Sequence, residues 1–420
     1  MLNRSQKTVR NSHKPEKSAG PHSGSGHLRS VRPKLVKQVN QRNIFDMIQS
    51  AGTISRAELA RRTGASMPTA SKTVARLLHL GLIEEQGLVP ADGKGRPSQM
   101  YRVASEKSRV IGISIEPHRC RVVSAGLDGA FAAQDIVEIP TPPTYVDLID
   151  KCARCAVRGM SSRGHKALGI GVSVSGTVDA MHQQVLLSPN LHLLDGQRPG
   201  ADIESRLGVP TRIVHETIST CLAERIYGEA RGVRNFVMIG TYAGFGLSAV
   251  VNGDLFTGAN GMAGELGHII VSEAGELCGC GNRGCLETIS TDPVFVRRVS
   301  RRLGRELSID QIIGMTGSGE LDPTPELHET LNGLAIGAAA AVNIFNPELM
   351  ALCTRMFEVS PGAFEYLAQR IGDNALKPVM QRCRIIRVQG DTLCGGVAAA
   401  IHHMVESLGP RMNWAVEHAA

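Results

Sequence analysis

Apolar positions along this chain follow three successive regimes. Residues 1–32 contain almost no large apolar groups. From Pro33 the spacing becomes helical, and from Arg109 short apolar runs alternate with turns. In the second regime Leu35, Val36, Val39, Ile44, Met47 and Ile48 suit one helix face, with some irregularity near Asn40. Ser55-Arg-Ala-Glu58 reads as a capping box opening a short helix that ends at Thr63-Gly64. Ser66 is the next candidate N-cap, and Pro68 is tolerated in the first turn after it. On this third helix Ala70, Val74, Leu77 and Leu78 share one face; Thr69, Lys72, Thr73 and Arg76 share another. Gly81 stops the helix. Leu82-Ile83-Glu84 and Met100-Tyr-Arg-Val103 then read as paired strands around a flexible tip, Gly93-Lys-Gly-Arg-Pro97. Three helices, a tight turn and a basic hairpin predict a winged helix-turn-helix.

The third regime contains an internal echo. Val110-Ile-Gly-Ile-Ser-Ile115 is followed by a break at Glu116-Pro117-His118, then Arg121-Val-Val123 and a turn at Asp128-Gly129. Phe236-Val-Met-Ile-Gly240 is followed by a break at Tyr242-Ala243-Gly244, then Leu247 to Val251 and a turn at Asn252-Gly253. Each is strand, tight turn, strand and hairpin signal. Repetition of this unit predicts an α/β body of two similar lobes around a cleft, the plan of actin-like and hexokinase-like (ribonuclease H-like) folds. The expected organisation is a disordered basic tail over 1–32, the winged helix-turn-helix over 33–105, and the bilobal body over 109–420.

Charge changes the reading of the first two regimes. Residues 1–110 hold 20 Lys and Arg against 7 Asp and Glu, while the remaining residues hold 26 against 32. Such segregation points to a polyanion partner for the N-terminal part. The third helix has the right width for a DNA major groove. Thr69, Ser71, Lys72, Thr73 and Arg76 are its candidate DNA contacts. Arg96 at the wing tip is placed to enter the minor groove, where the potential is most negative over A·T-rich DNA. No apolar run reaches the roughly 18–20 residues of a membrane span, and the polar, basic N-terminus has no signal-peptide core. Ten cysteines fit a reducing cytosol better than a disulfide framework. Cys152-Ala-Arg-Cys155 lies in a predicted helix without the strand–turn–helix setting of a redox motif.

One cluster carries metal chemistry. His268 and Cys278-Gly-Cys280-Gly-Asn-Arg-Gly-Cys285 supply one imidazole and three thiolates within eighteen residues. Cys3His is a common closed set for structural Zn²⁺. The intervening glycines let the backbone fold back so that the sulfurs reach one ion. With all four positions taken by protein, such a zinc is structural and rigidifies the loop leading to Glu287.

Together these residues resemble the ROK family of bacterial repressors, open reading frames and sugar kinases. The most specific marks are Ala263-Gly-Glu-Leu-Gly-His268 and the run from Cys278 to Glu287. Gly176-Thr-Val-Asp179, Ser188-Pro-Asn-Leu191 and Phe345-Asn-Pro-Glu348 add weaker support. The likeness runs from about Leu35 to the C-terminus. A winged helix-turn-helix ahead of such a body is similar to the repressor branch, which includes xylose repressors and regulators of glucose and N-acetylglucosamine uptake. The resemblance implies a cytoplasmic homodimer or homotetramer that binds operator DNA and senses a sugar or sugar derivative. It places Glu265, His268 and Glu287 among ligand contacts. Glu216 falls where the kinases carry their general base, within His215-Glu-Thr-Ile218, which departs from the family's Asn-Asp-x-Asn pattern. It also implies no catalysis, because three phosphate-cradling parts are altered. Ser114-Ile-Glu-Pro-His118 replaces Asp-x-Gly-Gly-Thr, Tyr242-Ala-Gly244 replaces Gly-Thr-Gly, and Cys353-Thr-Arg355 replaces a Gly-Gly pair. The alternatives are a sugar kinase with an appended DNA-binding head, and a regulator that answers to a protein partner through a vestigial cleft.

Overall fold

The computed structural model describes residues 33–89, 97–161, 166–388 and 391–410. The expected tail over 1–32 and the wing-tip Arg96 lie outside them. The N-terminal head contains α1 (Pro33–Ala51), β1 (Ile54–Ser55), α2 (Arg56–Thr63), α3 (Met67–His79), β2 (Ile83–Val89) and β3 (Ser98–Val103). Its sheet runs β1-β3-β2, all antiparallel. The α1 helix buries Val39, Ile44, Phe45 and Ile48, while Leu35 and Val36 stay exposed. Burying a side chain the size of Phe45 contributes about 2–3 kcal/mol. Ser55 caps α2 by accepting from the Glu58 amide at 3.2 Å. The reciprocal half of the predicted capping box is replaced: the Glu58 carboxylate pairs with Arg61 and Arg62 instead. Gly64 ends α2 in the left-handed region, φ 66°. Ser66 caps α3, as its spacing predicts.

One predicted DNA contact is overturned by packing. Thr73 is buried. It lies three residues after Ala70 and four before Leu77, in the middle of the apolar stripe that α3 turns to the core. Lys72 and Arg76 are exposed, and Thr69 and Ser71 half-buried.

The body is two lobes with the same sheet plan. The first contains β4 (Ser108–Ile115), β5 (Arg119–Gly126), β6 (Val137–Pro140), α4 (Tyr145–Ser161), β7 (Lys166–Val174), the ribbon β8 (Thr177–Asp179) and β9 (Gln184–Leu187), α5 (Pro199–Leu207), β10 (Thr211–His215) and α6 (Glu216–Ile226). The second contains β11 (Phe236–Gly240), β12 (Gly246–Val251), β13 (Asp254–Leu255), α7 (Glu287–Ser290), α8 (Asp292–Leu303), α9 (Ile309–Gly317), α10 (Thr324–Phe345), β14 (Leu349–Cys353), α11 (Ala363–Asn374), α12 (Lys377–Met380) and β15 (Arg384–Arg387). The sheets run β6-β5-β4-β7-β10 and β13-β12-β11-β14-β15. In each, three antiparallel strands continue into two parallel ones. The sequence echo is therefore the repeated β4–β5 and β11–β12 hairpin.

The last helix, α13 (Thr392–Glu406), returns to the first lobe. Glycines bring it unusually close. A Cβ on Gly171 of β7 would sit 2.1 Å from the Gly396 carbonyl oxygen and 2.6 Å from the Ala400 nitrogen, so only glycine permits this contact. The same helix joins body to head. Leu393, Val397, Ile401 and Val405 share one apolar core with Phe45, Leu77 and Tyr101 of the head and Val123 of β5. Core packing thus runs across the predicted boundary near residue 105. Cys152 and Cys155 both face the first-lobe core from α4.

Candidate functional site

A cleft of about 310 Å³ opens between the lobes. The first lobe contributes Ser175 and Gly176 after β7, Asn190, and His215 and Glu216 at the junction of β10 with α6. The second contributes the Gly244–Leu247 turn, Glu265, His268 and Glu287. All four predicted ligand contacts therefore line one cavity. Glu216 accepts a hydrogen bond from the Ser175 hydroxyl at 2.7 Å. Burial pushes its carboxyl up to about 7, against the pull of Ser175 and aided by Glu116 and Glu287. Glu287 begins α7, and one of its oxygens accepts from the Phe245 amide at 2.9 Å. A Cβ on Gly244 would stand 2.6 Å from that carboxylate, so a side chain there would push Glu287 out of its present position. Sequence reasoning missed Ser175; it adjoins the Gly176-Thr-Val-Asp179 run, where only its neighbours drew notice.

His215 does a job that its residue type concealed. Its Nδ1 accepts from the Thr217 amide at 3.2 Å and so caps α6. An amide side chain performs the same service at helix starts. Burial lowers the imidazole to about 4, which keeps Nδ1 an acceptor at neutral pH. Ile218, one turn on, presents only carbon to the cleft.

Beside Glu287 the ligand atoms of His268, Cys278, Cys280 and Cys285 all lie within 4.8 Å of one another. Cys278 Sγ is 3.6 Å from His268 Nδ1, and Cys280 Sγ is 3.7 Å from Cys285 Sγ. With metal–sulfur bonds of about 2.3 Å, tetrahedral geometry separates ligand atoms by about 3.8 Å. The residues therefore fit a metal ion. The Cys278 amide donates to the Asn282 carbonyl at 2.7 Å, and Gly281 takes a left-handed φ of 93° to close that turn. Nδ1 of His268 faces the sulfurs while Nε2 points to Glu265, 3.7 Å away. One ring thus spans the cluster and the cleft.

The profile of the ROK family matches residues 110–400. The chain belongs to the ROK family. It is 26% identical over 330 residues to the xylose repressor of Bacillus subtilis (strain 168), covering 78% of this chain and 85% of that one. It is 24% identical over 368 residues to the DNA-binding transcriptional dual regulator NagC of Escherichia coli (strain K12), covering 85% and 90%. Among solved structures it resembles a ROK family transcriptional regulator, a homologue of the E. coli MLC protein. That match has a TM-score of 0.76 at 22% identity over 89% of this chain and 98% of the other.

Not every ROK feature is an open site here. The stretch replacing the first phosphate hairpin is tied up internally. Glu116 accepts from Ser114 and Thr392 at 2.8 Å each and pairs with Arg119 at 2.9 Å and Arg121 at 2.8 Å. Burial alone would raise this carboxyl, but Arg119, Arg121 and Ser114 hold it down at about 2. Arg121 is shared with Asp391 at 2.9 Å. In the second lobe buried Asp292 accepts from Thr241 at 3.0 Å, from Thr354, and from the Arg355 amide at 2.9 Å. Residues 114–118 and 353–355 of this ROK chain thus lie in networks that consume their own polar groups, and Thr241, just before Tyr242-Ala-Gly244, joins the second of these.

Proposed function

We propose that this ROK protein is a sugar-responsive transcriptional repressor and not a kinase. The observation that carries this reading is the contrast within one cleft. Glu216, Glu265, His268 and Glu287 line a cavity of about 310 Å³, while the phosphate-cradling positions are occupied by Glu116 and its partners. Carboxylates suit sugar hydroxyls, because each oxygen accepts from O–H groups in a site with few, well-aimed polar partners. The Cys3His cluster is assigned to structural Zn²⁺, held by His268 Nδ1 and three thiolates. Bound there, the ion would fix the loop that presents Glu287, and its four protein ligands would leave no open position.

The head is read as a winged helix-turn-helix with α3 in the major groove. Thr69, Ser71, Lys72 and Arg76 are its DNA contacts, and Arg96 is assigned to the wing. A two-fold dimer, or a tetramer built from it, would place two copies of α3 on successive major-groove faces. Among the described residues no helix is long and apolar enough to cross a membrane, and operator binding assigns the protein to the cytoplasm. An effector must bind one arrangement of the heads better than another, because equal affinity shifts nothing.

A gel shift on DNA upstream of the protein's own gene, with and without a panel of sugars and sugar phosphates, tests binding, effector and sign together. K72A and R76A are each expected to weaken binding and lower the salt slope by about 1. Retention of full affinity by both would sink the docking assignment. A second reading, control by a protein partner, is favoured only by Ile218 and the use of His215 as a helix cap. Thermal stabilisation by any sugar of the panel decides against it.

A further inference from the structure

Next to the interlobe cleft, with Val178, His215, Ile218 and Gly261 shared between their walls, lies a second cavity of about 490 Å³. It sits where three parts of the molecule meet. Arg42 comes from α1 of the head, Arg212 from edge strand β10, and His402, His403 and Glu406 from the last turns of α13. Alternation along β10 explains the aim of Arg212. Ile213 and Thr211 are buried on the α5 side, so Arg212 projects towards α13. Its guanidinium lies 3.3 Å from a ring nitrogen of His403.

The charges in this cavity are unevenly matched. Arg42 is paired with Asp46 at 3.1 Å, and His402 with Glu406 at 3.2 Å. Arg225 donates to the Gly253 carbonyl at 2.5 Å. Asp254 is the other carboxylate on the wall. Among the described residues Arg212 has no carboxylate within salt-bridge distance; its near neighbour is an imidazole. Burial and the Arg212 charge hold His403 below its ordinary range. Arg212 thus donates to a neutral imidazole, and Glu406 and Glu204 pull His403 upward less than burial and Arg212 push it down. An anion between the two side chains would add a partner for both. Carbon from Val178, Ile218, Leu222 and Leu255 lines the rest, which is the mixed lining of a small-molecule site.

We propose that this cavity is a second effector site for a small organic dianion of the phosphate monoester class. The phosphate would be held between Arg212 and His403, with His402 and Arg225 nearby, and the organic part against the apolar wall. A guanidinium offers a planar fork matched to phosphate oxygens, and an imidazole gains a proton beside an anion. Because Arg42 belongs to the head and the other groups to the body, occupancy would bias how the two sit together. The proposal does not depend on what the interlobe cleft binds.

The test uses the full chain with three probes: glucose 6-phosphate, inorganic phosphate and glucose, read by thermal shift and isothermal titration. Glucose 6-phosphate is expected to bind saturably at concentrations up to about 10 mM. R212Q and H403Q should each weaken it at least about tenfold, as loss of one charge-assisted contact does. E265Q, in the other cleft, should leave that affinity unchanged. Equal response to inorganic phosphate would assign the site to the free anion and retain the dianion reading. A response that survives both R212Q and H403Q, one that E265Q abolishes, or no saturable response to either phosphate probe overturns the proposal. H403Q guards against misfolding of R212Q, since its side chain lies on a helix face and outside the sheet.

Discussion

The two halves of the interlobe cleft differ in what they leave unspent. On the side proposed for the sugar Glu216, Glu265 and Glu287 keep carboxylate oxygens towards a cavity. At the turn between β4 and β5 Glu116 receives Ser114, Arg119, Arg121 and Thr392. A site that must bind a ligand has to hold polar groups short of partners until the ligand arrives. A network that satisfies itself has lost that capacity, however polar its residues look in sequence. The two halves therefore do not differ in how polar they are. They differ in whether their polar groups are already satisfied by one another.

The comparison breaks most visibly at the metal cluster. Cys285 is fully buried, and its sulfur lies 3.7 Å from that of Cys280. C285S is expected to abolish bound zinc and to lower stability by at least about 3 kcal/mol, in the range of lost metal sites. Metal analysis of protein purified without chelator, alongside denaturant unfolding, checks both. If C285S unfolds like the wild type, the cluster does not support the sugar wall.

Glu216 gives the next largest effect, and its sign is fixed by linkage. The folded-state value, about 7, lies above the ordinary carboxylate value of 4.5. Its contribution is thus fully present below pH 4.5 and is lost as pH rises through 7, by up to about 3 kcal/mol. Buried Asp292, raised to about 6 from 3.8, adds a slope of the same sign at lower pH. His215, lowered to about 4 from 6.5, has the opposite sign and loses stability as pH falls through that window. E216Q should therefore flatten unfolding free energy between pH 6 and 7 while leaving the Asp292 slope in place. An unchanged slope in that interval would show that the carboxylate is already ionised when folded.

E116A removes one carboxylate partner of half-buried Arg121 and leaves it Asp391 and the Thr392 hydroxyl. The expected cost is about 2 kcal/mol, below that of a fully buried broken pair. A neutral result would mean that Glu116 is a surface charge and that this half of the cleft is more open than its contacts suggest.

Much of this was legible in the sequence, for identifiable reasons. The Ser55 and Ser66 caps, the Gly64 stop and the twin hairpins depend on neighbours a few residues away. So does the Cys3His spacing, whose four ligands lie within eighteen positions. Thr73 misled because a polar residue inside an apolar stripe is placed by helical phase, not by its own chemistry. His215 looked only like a departure from the family's pattern because capping depends on a backbone direction that residue type does not encode. Arg212 and His403 are 191 positions apart. Only the return of α13 to the first lobe brings them together, and no local pattern announces that.

The smallest expected effect is the most direct probe of the difference between the halves. Magnesium ATP added at millimolar concentration should change neither the unfolding temperature nor the affinity for DNA. Any ligand that binds only the folded state stabilises it by RT ln(1 + [L]/Kd), so a Kd near 0.1 mM would add about 2 kcal/mol at 5 mM and could not be missed. For the triphosphate to bind, Glu116 would have to be displaced from two arginines that hold it ionised, and its charge would then face the incoming phosphates. A saturable shift would mean that Arg119 and Arg121 exchange Glu116 for a phosphate. The two halves would then differ in which partner waits, and not in whether one is awaited.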